Sequence, residues 1–501
     1  MVLLKILLLV SPIFVSTLIP ITQKHISPNA VKTLLKIRQK QKQQPYFTRQ
    51  KTHPSILGAT INNDADENIF SLPITAKESL RIMMRRMIHY FESMVDPHTN
   101  EFFLMSYPQK VSTDANYRLH QQCSLREMGC AWDATTAVQW LSRESSYPDN
   151  KENNAITKET LGDAILQTVK KYTRSLIALN DNGVALHFDA IKEQPNIAHN
   201  GLLLLTLMRA EQVIPLIKSK TFELNKITTQ QNEIANDLTR GILSMQRKDG
   251  AFKIYFSTDD NENNDVYAGI DFFSGEAMTA LLEVYFLQTK YKSSSYLINI
   301  SDEIMRKILP AMKLALQFYR DYYDKGRRDG TLDVNYTIWQ IQAFSRLYFI
   351  LIQEEREQQQ GNDNKVIADS AQYCLEMSND IISSPSWKML SRGKSFYPNL
   401  STIEIACGLD ALVQGTRVSY YNLKTENGQE LYNEFRLFVR NIENAIDFLQ
   451  WSQDQLSLEN EIGYGGLGFG GVYVTEQRLD VTGHALSGIA KLLNYIEDDM
   501  V

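Results

Sequence analysis

Glu276 follows Phe272, Phe273 and Ser274 and precedes a run that stays apolar almost to Gln288. Burial disfavours the charged form of a carboxyl, so an acid in such a setting holds its proton and can donate it to a leaving group. That chemistry needs a second group to act as base or nucleophile. Asp271, five residues upstream, is the first candidate, and Asp333 is another. A second constellation lies near the C-terminus. Asp480 and His484 are four residues apart and share one face of a helix, where the carboxylate can orient the imidazole for proton transfer. Glu276, Asp271, Asp480 and His484 are therefore the candidate catalytic groups. Each also has a structural reading. Glu276 in a first helical turn complements the macrodipole or caps a helix, and Asp480 caps the last helix with His484 a satisfied polar neighbour.

Binding candidates surround them. Arg126 and Arg478 carry guanidinium forks that suit a carboxylate. His187 and His199 supply ring nitrogens, and Phe272, Trp339 and Tyr397 supply flat apolar faces. Asp133 and Glu404 are read as capping or helix-to-helix hydrogen-bonding groups. His187, His199 and His484 lack short ligand spacing, so no metal is expected. The acidic run 259–265 lacks the EF-hand pattern and is read as a solvated loop. The glycines of 463–471 are not followed by Gly-Lys-Ser/Thr, and no Gly-X-Ser-X-Gly elbow is present. No cofactor is expected.

The elements that must position these residues come in pairs. A helical period recurs over about 76–95 and 124–143, 157–180 and 197–215, and 229–247 and 274–289. It continues over about 302–323 and 335–354, 365–383 and 401–418, and 431–454 and 480–496. The first member of each pair is amphipathic. The second is apolar on nearly every face, as a helix inside a larger core must be. Asn182-Gly183, Asp249-Gly250 and Asp329-Gly330 punctuate the pairs as turns, and short β-like runs follow at 184–188 and 252–256. Small residues at the starts of the second helices allow a crowded inner ring.

Composition narrows the field. The chain has 501 residues, 43% hydrophobic and 22% charged, a net charge of −6 and a pI near 5.9, which leaves no basic footprint for nucleic acid. Residues 1–20 carry one Lys and an apolar run, read as a signal peptide or signal anchor, so a membrane is expected only if the segment is uncleaved. Residues 21–70 are a polar disordered linker. Sequons at Asn299, Asn335 and Asn399 agree with a glycoprotein of the secretory pathway, secreted or held in the lumen if anchored. Of four cysteines, Cys374 and Cys407 are the favoured disulfide pair, with buried free thiols as the alternative.

Six helical hairpins with an apolar inner ring resemble the (α/α)6 toroid of six-hairpin glycosidases, an all-α architecture with short β-like loops at the mouth, over residues 71–498. The turn from Gln246 to Phe252 is similar to turns in terpenoid-cyclase and prenyltransferase toroids. Ser274 to Leu282 loosely resembles the Gln-Gly-x-Ala helix of glucuronyl C5-epimerases, with Glu276 displaced by one from the Gln. The resemblance implies a carbohydrate-active enzyme, an acid/base glycoside hydrolase holding a glycan or other small hydroxylated substrate in the mouth. The alternatives are uronate C5-epimerisation or elimination, and a non-catalytic toroid that binds glycan or protein. A terpenoid cyclase is disfavoured because no aspartate-rich cyclisation motif is present.

Overall fold

Outer and inner helices differ in what they must hide. In the helix Asp302–Asp329, the buried residues Ile304, Ile308, Met312, Ala315, Tyr319 and Tyr323 recur every three or four positions and form one apolar stripe. Gly330 ends that helix in the left-handed region (φ 66°); its N–H donates to the carbonyl of Arg327, and that of Thr331 to the carbonyl of Gly326. Gly250 likewise takes φ 97° at the predicted Asp-Gly turn. In Ile270–Lys290, by contrast, burial runs unbroken from Ser274 to Val284, so this helix has neighbours on every side.

The computed structural model describes residues 74–107, 118–120, 123–144, 151–179, 183–186, 196–213, 224–256, 269–290, 298–358, 364–426, 429–456, 464–468 and 476–497. All belong to one compact unit, Ser55–Val501. Residues 1–20, read as a signal peptide or anchor, the 21–70 linker, His187 and the 259–265 run lie outside the described residues. In chain order the helices are α1 (Ile74–Ser93), α2 (Ser124–Glu144), α3 (Lys151–Thr173), α4 (Ile197–Val213), α5 (Leu224–Ser244), α6 (Ile270–Lys290) and α7 (Asp302–Asp329). They continue with α8 (Val334–Gln358), α9 (Asn364–Ser383), the short α10 (Pro385–Leu390), α11 (Thr402–Glu426), α12 (Gln429–Leu456) and α13 (Leu479–Glu497). None of them is long and apolar enough to cross a membrane.

The packing closes a ring. α2 lies against α4, α4 against α6, α6 against α8, α8 against α11, α11 against α13, and α13 returns to α2. The outer helices α1, α3, α5, α7, α9 and α12 lie over this ring. The chain is thus an all-α toroid of six hairpins, and each predicted pair of segments falls on an outer and an inner helix. Glycine sets the closest approaches. A β-carbon on Gly201 would lie 2.9 Å from Ala277 Cα of α6, and one on Gly275 would lie 2.5 Å from Trp339 Cβ of α8.

Short strands tie the last hairpin to the first. β1 (Met105–Ser106) pairs antiparallel with β2 (Arg118–Leu119) on one side and with the strand Gln477–Arg478 on the other, in register Met105 to Arg478. The backbone N–H of Leu479 donates to Leu104 at 3.1 Å and that of Arg478 to Leu467 at 3.3 Å. This clasp fixes Arg478 and the first residue of α13.

The cysteines correct one expectation. All four are buried free thiols. Cys374 of α9 directs its sulfur to the Ile341 carbonyl of α8, whereas Cys407 of α11 is buried within the electrostatic influence of Asp480 and Asp410.

Candidate functional site

Contacts between inner helices that are not ring neighbours identify the side chains facing the bore. Trp132 of α2 and Trp339 of α8 belong to opposite helices, yet their rings meet at 5.7 Å between centroids and 31° between planes. Trp339 also meets His484 of α13 edge-to-face at 6.2 Å. The tryptophan pair therefore spans the bore and floors its mouth. Beneath it, Lys491 of α13 donates to Gln342 of α8 at 3.2 Å and to Asp410 of α11 at 2.7 Å. Farther along, Glu283 of α6 is fully buried between Arg209 of α4 and Arg346 of α8. Burial, with Arg209 next, pulls Arg346 down to about 9.

The bore stripe corrects the expectation of inner helices apolar on every face. Glu276, Thr279 and Glu283 on α6, and Trp339, Gln342 and Arg346 on α8, repeat every three or four residues along one face. The other faces of these helices are mainly apolar, with Gln340 donating to Ser274 at 3.0 Å where α8 meets α6. A buried polar stripe costs stability unless its members pair. Glu283, Gln342 and Arg346 do so by crossing to another inner helix, whereas Oε2 of Glu276 and Oγ1 of Thr279 have no hydrogen-bond partner.

Above the floor, charges are separated by environment. Asp480 is gripped through both carboxylate oxygens by Arg478, with Nε to Oδ1 at 2.9 Å, and Arg126 of α2 approaches at 3.5 Å. Burial alone would raise Asp480, but the two guanidinium groups hold it at about 2. Asp133 of α2 behaves oppositely. Burial pushes its carboxyl well up, and Asp410 reinforces that against the opposing charge of Lys491. Burial also raises Glu276 well above the usual range, and its Oε2 has no hydrogen-bond partner. His484 is lowered by burial, against the pull of Asp410 and Asp480. Burial and neighbouring charge thus hold Asp480 toward its ionised form, and push Asp133 and Glu276 toward the protonated acid and His484 toward the neutral imidazole.

The sequence candidates divide into those brought together and those kept apart. Arg126, Arg478, Asp480, His484 and Trp339 converge at the α2–α13 side of the bore. The expected Asp480–His484 hydrogen bond does not form: Asp480 is engaged by the two arginines, and Nδ1 of His484 is buried without a partner. Glu276 lies in the second turn of α6, because that helix begins at Ile270, about a turn before the predicted start. The first-turn acid is Asp271. Tyr322 of the outer helix α7 donates to Asp271 at 3.0 Å, and burial raises that carboxyl, so Asp271 faces the outer layer while Glu276 faces the bore. Phe272 packs on Phe273, with 6.1 Å between centroids. His199 is buried, and its Nδ1 lies 2.9 Å from Oδ1 of Asn196, the residue that accepts from the first N–H groups of α4. Tyr397 wedges between Phe448 and Trp451 of the outer helix α12.

Asp133, read as a capping or helix-to-helix hydrogen-bonding group, rests its Oδ2 against Gly483 of α13 inside the ring. Two bore residues escaped the sequence reading. Asp410 and Lys491 were not singled out. A signal existed, since each is a charge flanked on both sides by apolar or small residues within an inner helix.

No family model and no curated protein matches this chain. Among solved structures, a variant of an unsaturated glucuronyl hydrolase (UGL) with dGlcA-Glc-Rha-Glc is similar at 11% identity and a TM-score of 0.45, over 82% of this chain and 96% of that chain. So distant a likeness carries no argument about activity. The toroid rests on the closed ring of inner helices.

Proposed function

We propose that this protein is a carbohydrate-active enzyme that cleaves a glycosidic bond by acid/base chemistry at the mouth of the ring. One observation carries the reading: carboxyls of opposed proton affinity, Asp480 near 2 and Asp133 well raised, share a bore floored by two tryptophans. An acid that keeps its proton is what a leaving alkoxide requires, and an aromatic floor suits the apolar face of a sugar ring. Asp133 is the proton donor in this reading. His484, neutral and one residue beyond Gly483, takes the proton from the attacking water. Asp480 stays ionised between Arg126 and Arg478 and orients the site without exchanging protons. Glu276 is the rival donor, from the α6 side of the bore. Because the tryptophans block the bore, the mouth receives the end of a glycan chain.

The test is a turnover and binding screen of the full chain against neutral and uronic-acid oligosaccharides, with Asp133→Asn and Glu276→Gln alongside. Loss of turnover by about 10²- to 10⁴-fold in Asp133→Asn with binding retained supports the assignment. The same loss confined to Glu276→Gln transfers the acid role. Binding without turnover in any of the three proteins makes the mouth a lectin-like site. A screen in which neither glycan class binds ends the carbohydrate reading.

A further inference from the structure

Asp410 has two possible cationic partners on α13, and the structure gives it one. A β-carbon on Gly488 would lie 3.1 Å from Asp410 Cα, so α11 and α13 meet at this point. His484 stands four residues before Gly488 and Lys491 three after it, and so the two side chains flank the Asp410 carboxylate, one turn nearer the mouth and one turn farther. Lys491 takes Oδ1 at 2.7 Å and Gln342 takes Oδ2 at 3.1 Å. The Lys491 ammonium also lies 5.8 Å from the centroid of the Trp132 ring, beneath the floor. Both oxygens of Asp410 are thus engaged below the tryptophans, while Nδ1 of His484 has no hydrogen bond.

We propose that Lys491 is a positioning residue: by holding Asp410 together with Gln342, it keeps His484 a neutral imidazole able to accept a proton from a bound molecule. Lys491 and His484 compete for one carboxylate. Without the ammonium, Asp410 is a buried anion one turn from an imidazole, and protonating that ring is the nearest compensation. The other groups that face His484 act in both cases. Asp480 and Arg478 come from its own element and the strand before it, and from α2 Asp133 adjoins Gly483 and Arg126 adjoins Asp480. Cys407 accompanies Asp410 on α11. From α1, Tyr90 turns its hydroxyl to Ser106. The use of the imidazole rests on the function proposed above, but the competition does not.

The test reads His484 directly by NMR in full-length protein labelled in histidine, with His484→Gln to assign the signal. In the wild type the ring should protonate below its ordinary value of about 6.5. In Lys491→Met the midpoint should rise by about one unit, a roughly tenfold larger protonated fraction at fixed pH. Lys491→Arg should restore the wild-type midpoint, and Asp410→Asn in the Lys491→Met background should cancel the rise. If Lys491→Met does not fold, Lys491→Gln carries the same expectation with hydrogen bonding kept and charge removed. A folded, charge-neutral variant whose His484 midpoint matches the wild type overturns the clamp. Glycan binding measured on the same proteins separates the two readings, since His484 can move with no glycan bound and glycan can bind with His484 unmoved.

Discussion

Oδ2 of Asp133 occupies the place where a side chain on Gly483 would begin, 2.0 Å from the position of its β-carbon. α2 and α13, the first and last inner helices, close the ring at this contact. The residue that completes the fold is thus also the acid proposed for the site. Gly483→Ala must displace the carboxyl or part the helices, at a cost of about 1–3 kcal/mol. Urea unfolding measures it, and a double-mutant cycle with Asp133→Ala should recover most of the loss. An unchanged midpoint in the single variant would show that the helices are not in close contact.

Asp480 links stability to acid pH. Its folded value near 2 lies below the ordinary 3.8, so the native state favours the ionised form. The resulting stability, about 2 kcal/mol, is fully present above pH ~4 and is lost as pH falls through ~2. Asp480→Asn should lack that slope. Unfolding followed across acid pH decides it, and a variant that keeps the wild-type slope would place the titration elsewhere.

Asp133 and Glu276 have the opposite sign. Their folded values are raised by burial, so the native state binds more protons than the unfolded chain once pH exceeds the unfolded values. Their contribution is fully present below those values and declines as pH rises toward the folded ones. Asp133→Asn and Glu276→Gln should each flatten the decline, and should match or exceed the wild type in stability at neutral and alkaline pH. Marked destabilisation of both amide variants at neutral pH would mean that these carboxyls are ionised and paired.

The far end of the bore depends on Glu283, which is fully buried and shared by Arg209 and Arg346. Glu283→Gln strands buried guanidinium charge and should cost about 3–5 kcal/mol, or abolish folding. Equilibrium unfolding measures the loss. A cost under about 1 kcal/mol would show that water or other groups replace the carboxylate.

The tryptophan floor gives a binding prediction. Trp132→Ala should weaken glycan affinity about tenfold while leaving the helical content unchanged, since the ring meets Trp339 across the bore. Titration calorimetry on the folded variant checks it. Equal affinity would remove the floor from the binding site.

Much of the architecture was legible in the sequence because it depends on local pattern. The stripe from Ile304 to Tyr323 announces an outer helix, and the Asp249-Gly250 and Asp329-Gly330 pairs announce turns whose glycines take positive φ. Glu276 was legible as a raised acid because a carboxyl inside an apolar run has few ways to be solvated. Its turn position was not, since α6 extends back to Ile270 through Asp271, Phe272 and Phe273. Tyr397 reads as an aromatic near an inner-helix start, but only packing shows that Phe448 and Trp451 hold it in the outer layer.

Sequence by itself determined the alternation of amphipathic and apolar helices, the number of hairpins and the charges available near the inner-helix starts. These follow from periodicities of three and four residues, which each segment carries alone. Tertiary structure decided which charges meet. Arg478 grips Asp480 from two residues away, but whether Arg126 joins it, and whether Asp410 holds Lys491, depends on helices that lie far apart in the chain and meet only when the ring closes. Proton affinity follows those meetings, because burial and neighbouring charge are properties of the closed bore and of no single segment.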